Sequence, residues 1–97
     1  MQKFVVHINY KVPFEDVLKF VQSHREFLQL GYDDGQILMS GPRNPKDGGI
    51  VICKSESLET LENFFNNDPY KLNNVADYKF FEFEPVKYQP FLKDWIL

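Results

Sequence analysis

The chain has a single cysteine, Cys53, among its 97 residues, so no disulfide can form within it. It has no basic excess either: 11 Lys and Arg stand against 14 Asp and Glu, a formal net charge of −3. The only arginines, Arg25 and Arg43, are far apart in sequence. No basic stripe is available to displace counterions from a phosphate backbone, which argues against a nucleic-acid partner. Long apolar runs are missing: none reaches spanning length, and no charged segment followed by an apolar core and a cleavage site opens the chain. The expectation is a cytoplasmic protein without a membrane partner. His7, His24, Cys53 and Asp68 are potential metal ligands, but no Cys-x-x-Cys or His-x-x-x-His spacing pairs them, so neither a metal nor a cofactor is expected. Gly48-Gly49 reads as a turn, with no Walker sequence after it, and no nucleophile elbow is present.

What is abundant is aromatic surface. Ten Phe, five Tyr and one Trp are more than one small core conveniently hides, in a chain long enough for one domain over residues 1–97. A domain of this size buries only about 60–65% of its unfolded surface. Self-association, most simply as a homodimer, is therefore expected.

Alternation and turn residues divide the chain. Phe4 to Tyr10, rich in β-branched and aromatic residues, reads as a first strand ending before Pro13. Phe14, Val17, Leu18, Val21 and Leu28 recur at helical spacing, predicting a helix from Phe14 to about Gly31, stopped by Gly31 and Asp33-Asp34-Gly35. Ile37 to Ser40 reads as a second strand stopped by Gly41-Pro42, and Ile50 to Lys54 as a third. Ser57 is a simple cap candidate for a second helix from Leu58 to about Asn67, which Asp68-Pro69 breaks because the residue before a proline is pushed from helical angles. Tyr70 to Asn74 reads as a short extra turn and Tyr78 to Tyr88 as a fourth strand. Residues 89–97 form an apolar tail with Phe91, Leu92, Trp95 and Ile96 that must pack on something. The order βαββαβ predicts a ferredoxin-like α+β fold, with two helices on one face of a four-stranded antiparallel sheet. The other face needs the tail or a second copy to cover it.

Two residues in this layout carry possible chemistry. His24 lies on the flank of the apolar helical stripe, and the predicted topology sets the two helices side by side, bringing the Asp68-Pro69 turn within reach. A carboxylate bonded to one ring nitrogen fixes the histidine tautomer and leaves the other nitrogen free for acid or base work. The plainer readings are a half-buried packing histidine and an aspartate bonded to nearby backbone. Ser40-Gly41-Pro42 ends a strand with bare backbone, where a ligand can approach. His7 and Cys53 read as packing residues, Cys53 as an inert small hydrophobe.

His24, Gly35, Ser40-Gly41-Pro42 and Asp68-Pro69-Tyr70, in that order and spacing, resemble the YciI-like (YCII-related domain) family from the first strand to about Tyr88. The resemblance implies a dimeric α/β-barrel type of ferredoxin-like fold. It further implies His24 and Asp68 as an active-site pair; around that pair, the layout of the chain puts Ser40, Gly41, Pro42, Pro69 and Tyr70 at the expected substrate pocket. One family relative is a dehydrochlorinase acting on a chlorinated hydroxyquinone. Two positions depart from the family pattern. Val21 stands where an arginine often precedes the histidine by one helical turn, so a possible anion-binding group is missing. Asn74 stands where glycine is common and can still take left-handed angles.

Three functions stay open on this reading. The first is an enzyme using His24 and Asp68 for proton abstraction, elimination or hydrolysis on a small molecule. The second is a non-catalytic metabolite-binding module, and the third a dimerisation scaffold in which the pair only ties the helix to the turn.

Overall fold

Alternating β-branched and aromatic residues build the sheet, and the alternation decides which face the helices cover. In the computed structural model, which describes residues 1–97, Gln2–Tyr10 forms β1, after which come α1 (Phe14–Val17), a 3-10 turn (Leu18–Phe20) and α2 (Val21–Asp33). Then follow β2 (Ile37–Pro42), β3 (Gly48–Ser55), α3 (Leu58–Phe65), α4 (Pro69–Leu72), β4 (Ala76–Phe83), a 3-10 turn (Pro90–Leu92) and α5 (Lys93–Ile96). The strands pair antiparallel in the order β2-β3-β1-β4. This is the expected ferredoxin-like α+β arrangement. Phe4, Val6 and Ile8 of β1, Val51 and Cys53 of β3 and Ala76 of β4 face Val17, Phe27, Leu28, Leu61 and Phe65 of the helices in one core. Val5, His7 and Asn9 take the alternate positions on β1 and point to the opposite face.

Several boundaries differ from the sequence expectation, each for a local reason. The first helix is not continuous: Phe20 leaves helical angles at φ −114° and ψ 4°, and a 3-10 turn separates α1 from α2. Gly31 does not end α2. It lies inside it, where a Cβ would stand 2.4 Å from Ile37 Cδ1, so its bare backbone lets the helix approach β2. The stop comes at Gly35, with φ +75°. β2 runs on through Gly41 and Pro42, which pairs with Gly49; an edge strand tolerates a residue without an N–H. Gly48-Gly49 opens β3 rather than forming a free turn, and a Cβ on Gly48 would stand 2.0 Å from Ile8 O. β4 ends at Phe83, not Tyr88: Phe83 faces Lys3, one residue from the start of β1 at Gln2, and the ladder between the two strands ends there. Asn74 does adopt positive φ, 55°.

The tail leaves the β4 edge and ends against the far side of the sheet. Trp95 Nε1 donates to Gly35 O at 2.9 Å, and Lys54 Nζ donates to Trp95 O at 2.9 Å while lying 5.0 Å from the indole centroid. Lys54 alternates with the core-facing Cys53 and Ser55, so the tail covers this end of the face opposite the helices. The remainder of that face shows Met39, Phe81 and Phe83, each between 44% and 52% exposed.

Candidate functional site

His24 sits on α2 and is 9% exposed, and Asp68 lies between α3 and α4, fully buried. Pro69 holds Asp68 at φ −64° and ψ 129°, so Asp68 is the N-cap of α4. Its carboxylate performs two tasks that the sequence posed as alternatives. Oδ1 accepts from Tyr70 N–H at 3.0 Å, closing the short helix, and His24 Nδ1 lies 2.8 Å from Oδ1 and 3.0 Å from Oδ2. The hydroxyl of Tyr78 on β4 donates to Oδ2 at 2.7 Å. A carboxylate has about four acceptor directions, so cap, histidine and tyrosine are served together.

Because Nδ1 faces a carboxylate, it is the ring nitrogen that carries the proton, and Nε2 is left as the acceptor. The Tyr70 ring stacks on the imidazole at 3.9 Å with 7° between planes, which blocks ring rotation. Nε2 makes no hydrogen bond within the chain. Ser55 Oγ is the one sealed side-chain polar atom without a partner, so Nε2 opens onto the space beside it. Burial first, and then the charge of Asp68 and its hydrogen bond, hold the Tyr78 phenol protonated well above the usual tyrosine range. The Tyr70 phenol is also raised, by burial first and then by Tyr10 and Asp68, with Arg25 opposing.

The space beside the imidazole is a cavity of about 290 Å³ between α1, α2 and the sheet. Ser40, Gly41, Pro42 and Tyr70 of the expected pocket residues line it together with His24. Pro69 does not: as the first residue of α4 it sets the backbone of Asp68 and stays off the cavity wall. The Ser40 hydroxyl is tied to Tyr32 OH, joining the rim of β2 to α2. Val21 lines the cavity, as do Tyr10, Phe14, Arg25 and Lys46, which the sequence reading did not single out. Tyr78 was missed as the third partner of Asp68; its signal is its place on the Phe80 face of β4, the face turned to the helices.

His7 lies outside this constellation and packs edge-on against Phe81 at 5.2 Å on the opposite sheet face. No group of three His, Cys, Asp or Glu side chains converges anywhere in the fold. Cys53 is buried in the core, and desolvation pushes its thiol from 9.0 up to about 12. Between these values the unfolded chain loses the proton and the folded chain keeps it, so stability falls as pH rises from about 9 towards 12. The expected result is no reaction of the native thiol with a disulfide reagent at pH 8 and a flatter alkaline decline in Cys53→Ala. Rapid labelling of the native protein would contradict this placement.

The model of the YCII-related domain matches residues 2–84. No curated protein sequence matches the chain. Among solved structures, 5-chloro-2-hydroxyhydroquinone dehydrochlorinase (TftG) from Burkholderia phenoliruptrix, in complex with 2,5-dihydroxybenzoquinone, superposes with a TM-score of 0.67. The match covers 79% of this chain and 90% of that one at 17% identity, a likeness of fold.

Proposed function

The chain belongs to the YCII-related domain family, and from that premise we propose that it is an enzyme in which His24 is the general base or acid and Asp68 orients it. One observation carries the reading: Nδ1 is held by a buried carboxylate while Nε2, without a partner in the chain, opens onto a cavity of small-molecule size. Asp68 keeps the ring in one tautomer and stabilises the imidazolium formed when Nε2 takes a proton. Tyr70, stacked on the ring, and Tyr78, bonded to the carboxylate, hold that geometry. The reaction class is proton abstraction with elimination, or hydrolysis. The dehydrochlorinase with the same fold supports elimination, in which Nε2 removes a proton and chloride leaves with its bonding pair. Ser40, Gly41, Pro42 and Tyr70 form the walls that hold the reacting molecule.

The experiment is incubation in D2O with chlorinated and hydroxylated quinols, 5-chloro-2-hydroxyhydroquinone included, following chloride release and deuterium uptake. The expected result is His24-dependent release or exchange with at least one compound. A small molecule retained unaltered in native mass spectrometry, with no release or exchange across the panel, would favour the metabolite-binding module instead.

The same reading includes a cytoplasmic homodimer. The part of the sheet face beyond the tail, with Met39, Phe81 and Phe83, is the surface a second copy would cover, because apolar patches of this kind are costly in water. Light scattering that gives a monomer mass at micromolar concentration would remove it.

A further inference from the structure

The cavity has an electrostatic character opposite to that of the chain. The protein carries a net −3, yet the ionised groups on the cavity wall are Arg25 and Lys46, and no Asp or Glu stands among the lining residues. Asp68 is behind the wall, already engaged by His24, Tyr70 and Tyr78. Neither cation is held in an ion pair. This contrasts with Arg43, which donates to Asp47 and Asn9, and with Lys11, which pairs with Asp77.

The two cations come from separate elements. Arg25 is on α2, next in sequence to His24, and follows the cavity-lining Val21 by one helical turn on the same helix face. Lys46 comes from the loop joining β2 to β3. Tyr10, Phe14 and Tyr70 line the same cavity and pack on one another, Tyr10 against Phe14 at 6.1 Å and against Tyr70 at 5.9 Å, as an aromatic wall. Arg25 already acts on that wall electrostatically, since it is the one group that favours the ionised form of the Tyr70 phenol.

We propose that the cavity selects small planar anions, with Arg25 and Lys46 recognising the negative group and Tyr10, Phe14 and Tyr70 holding the ring. This names the substrate class of the site assigned to His24 and rests on that assignment, but its readout is binding. A guanidinium fits a carboxylate or a paired oxyanion through two parallel N–H donors, and an ammonium adds a point charge. The apolar walls lower the local dielectric and strengthen both contacts relative to water. Oxyanion and ring together place a carbon of the bound molecule near Nε2. A neutral molecule of the same shape leaves the two cations without a partner.

The test uses benzoate and benzamide, equal in shape and different in charge, titrated calorimetrically into the full chain at low salt. Benzoate is expected to bind about tenfold or more tightly than benzamide, as the loss of a charge-assisted hydrogen bond implies, and to weaken as NaCl is raised. Arg25→Gln and Lys46→Gln, both at exposed positions, are each expected to weaken benzoate, and the double variant to bind the two probes alike. Equal binding of the probes by the unmodified chain, binding of neither, or a preference for benzoate that survives in the double variant overturns the proposal. His24→Asn separates the two readings. Charge preference retained in that variant without turnover supports both, whereas His24-dependent turnover with no charge preference removes only the anion inference.

Discussion

Replacing Asp68 with alanine is expected to destabilise the fold by about 3–5 kcal/mol, because it removes one member of a buried, hydrogen-bonded pair. The consequences reach three elements. His24 Nδ1 on α2, the Tyr70 N–H that opens α4 and the Tyr78 hydroxyl on β4 all lose their acceptor in a site with no other oxygen assigned to them. For a chain of this length such a loss lowers the melting temperature by ~12–40 °C. Asp68→Asn is a milder change. Its amide oxygen can still accept from Tyr70 N–H, and the Tyr78 hydroxyl can rotate to accept from the new NH2 group. Thermal melts should therefore rank the wild type, Asp68→Asn and Asp68→Ala in descending order. An alanine variant melting within about 3 °C of wild type would mean that the carboxylate is not the common anchor of these elements.

The second large effect is kinetic. His24→Asn keeps an N–H at the bond distance of Nδ1, so donation to Asp68 survives while the Nε2 position disappears. On any compound the chain turns over, kcat is expected to fall by roughly 10²–10⁴-fold, the usual contribution of a positioned acid or base. The melting temperature should shift far less than in Asp68→Ala, since only the stacking on Tyr70 is lost. Added imidazole, which fits the vacated space, is expected to restore part of the rate. Turnover at wild-type rates in the asparagine variant would show that Nε2 takes no part in the reaction.

The fold was legible because its strongest signals are local. Phe4, Val6 and Ile8 alternate, and the α3 stripe of Leu61 and Phe65 repeats at helical spacing, so element order followed from period alone. Boundaries depended on partners. β4 stops where β1 is exhausted, which no residue within Tyr78–Tyr88 announces, and Gly31 looks like a terminator until Ile37 is seen pressed against it. The break at Phe20 is invisible to periodicity, since apolar residues continue across it.

The site divides in the same way. His24 and Asp68 stand out as polar residues in apolar or helix-breaking contexts, and the topology sets their elements side by side. The double role of Asp68 was hidden because cap and partner were weighed as rivals, although a carboxylate has room for both. Arg25 and Lys46 line one cavity only through the path of the β2–β3 loop, which no spacing in the sequence encodes.

Trp95 is the one tryptophan of the chain, and it sits on the tail, outside the core it fastens to. Its indole N–H rests on Gly35 O and its ring beside Lys54, so its emission is a gauge of tail docking. Unfolding followed by tryptophan fluorescence therefore times the release of the strap, and far-ultraviolet dichroism times the loss of the sheet. Coincidence of the two curves measures how far tail and sheet behave as one cooperative unit.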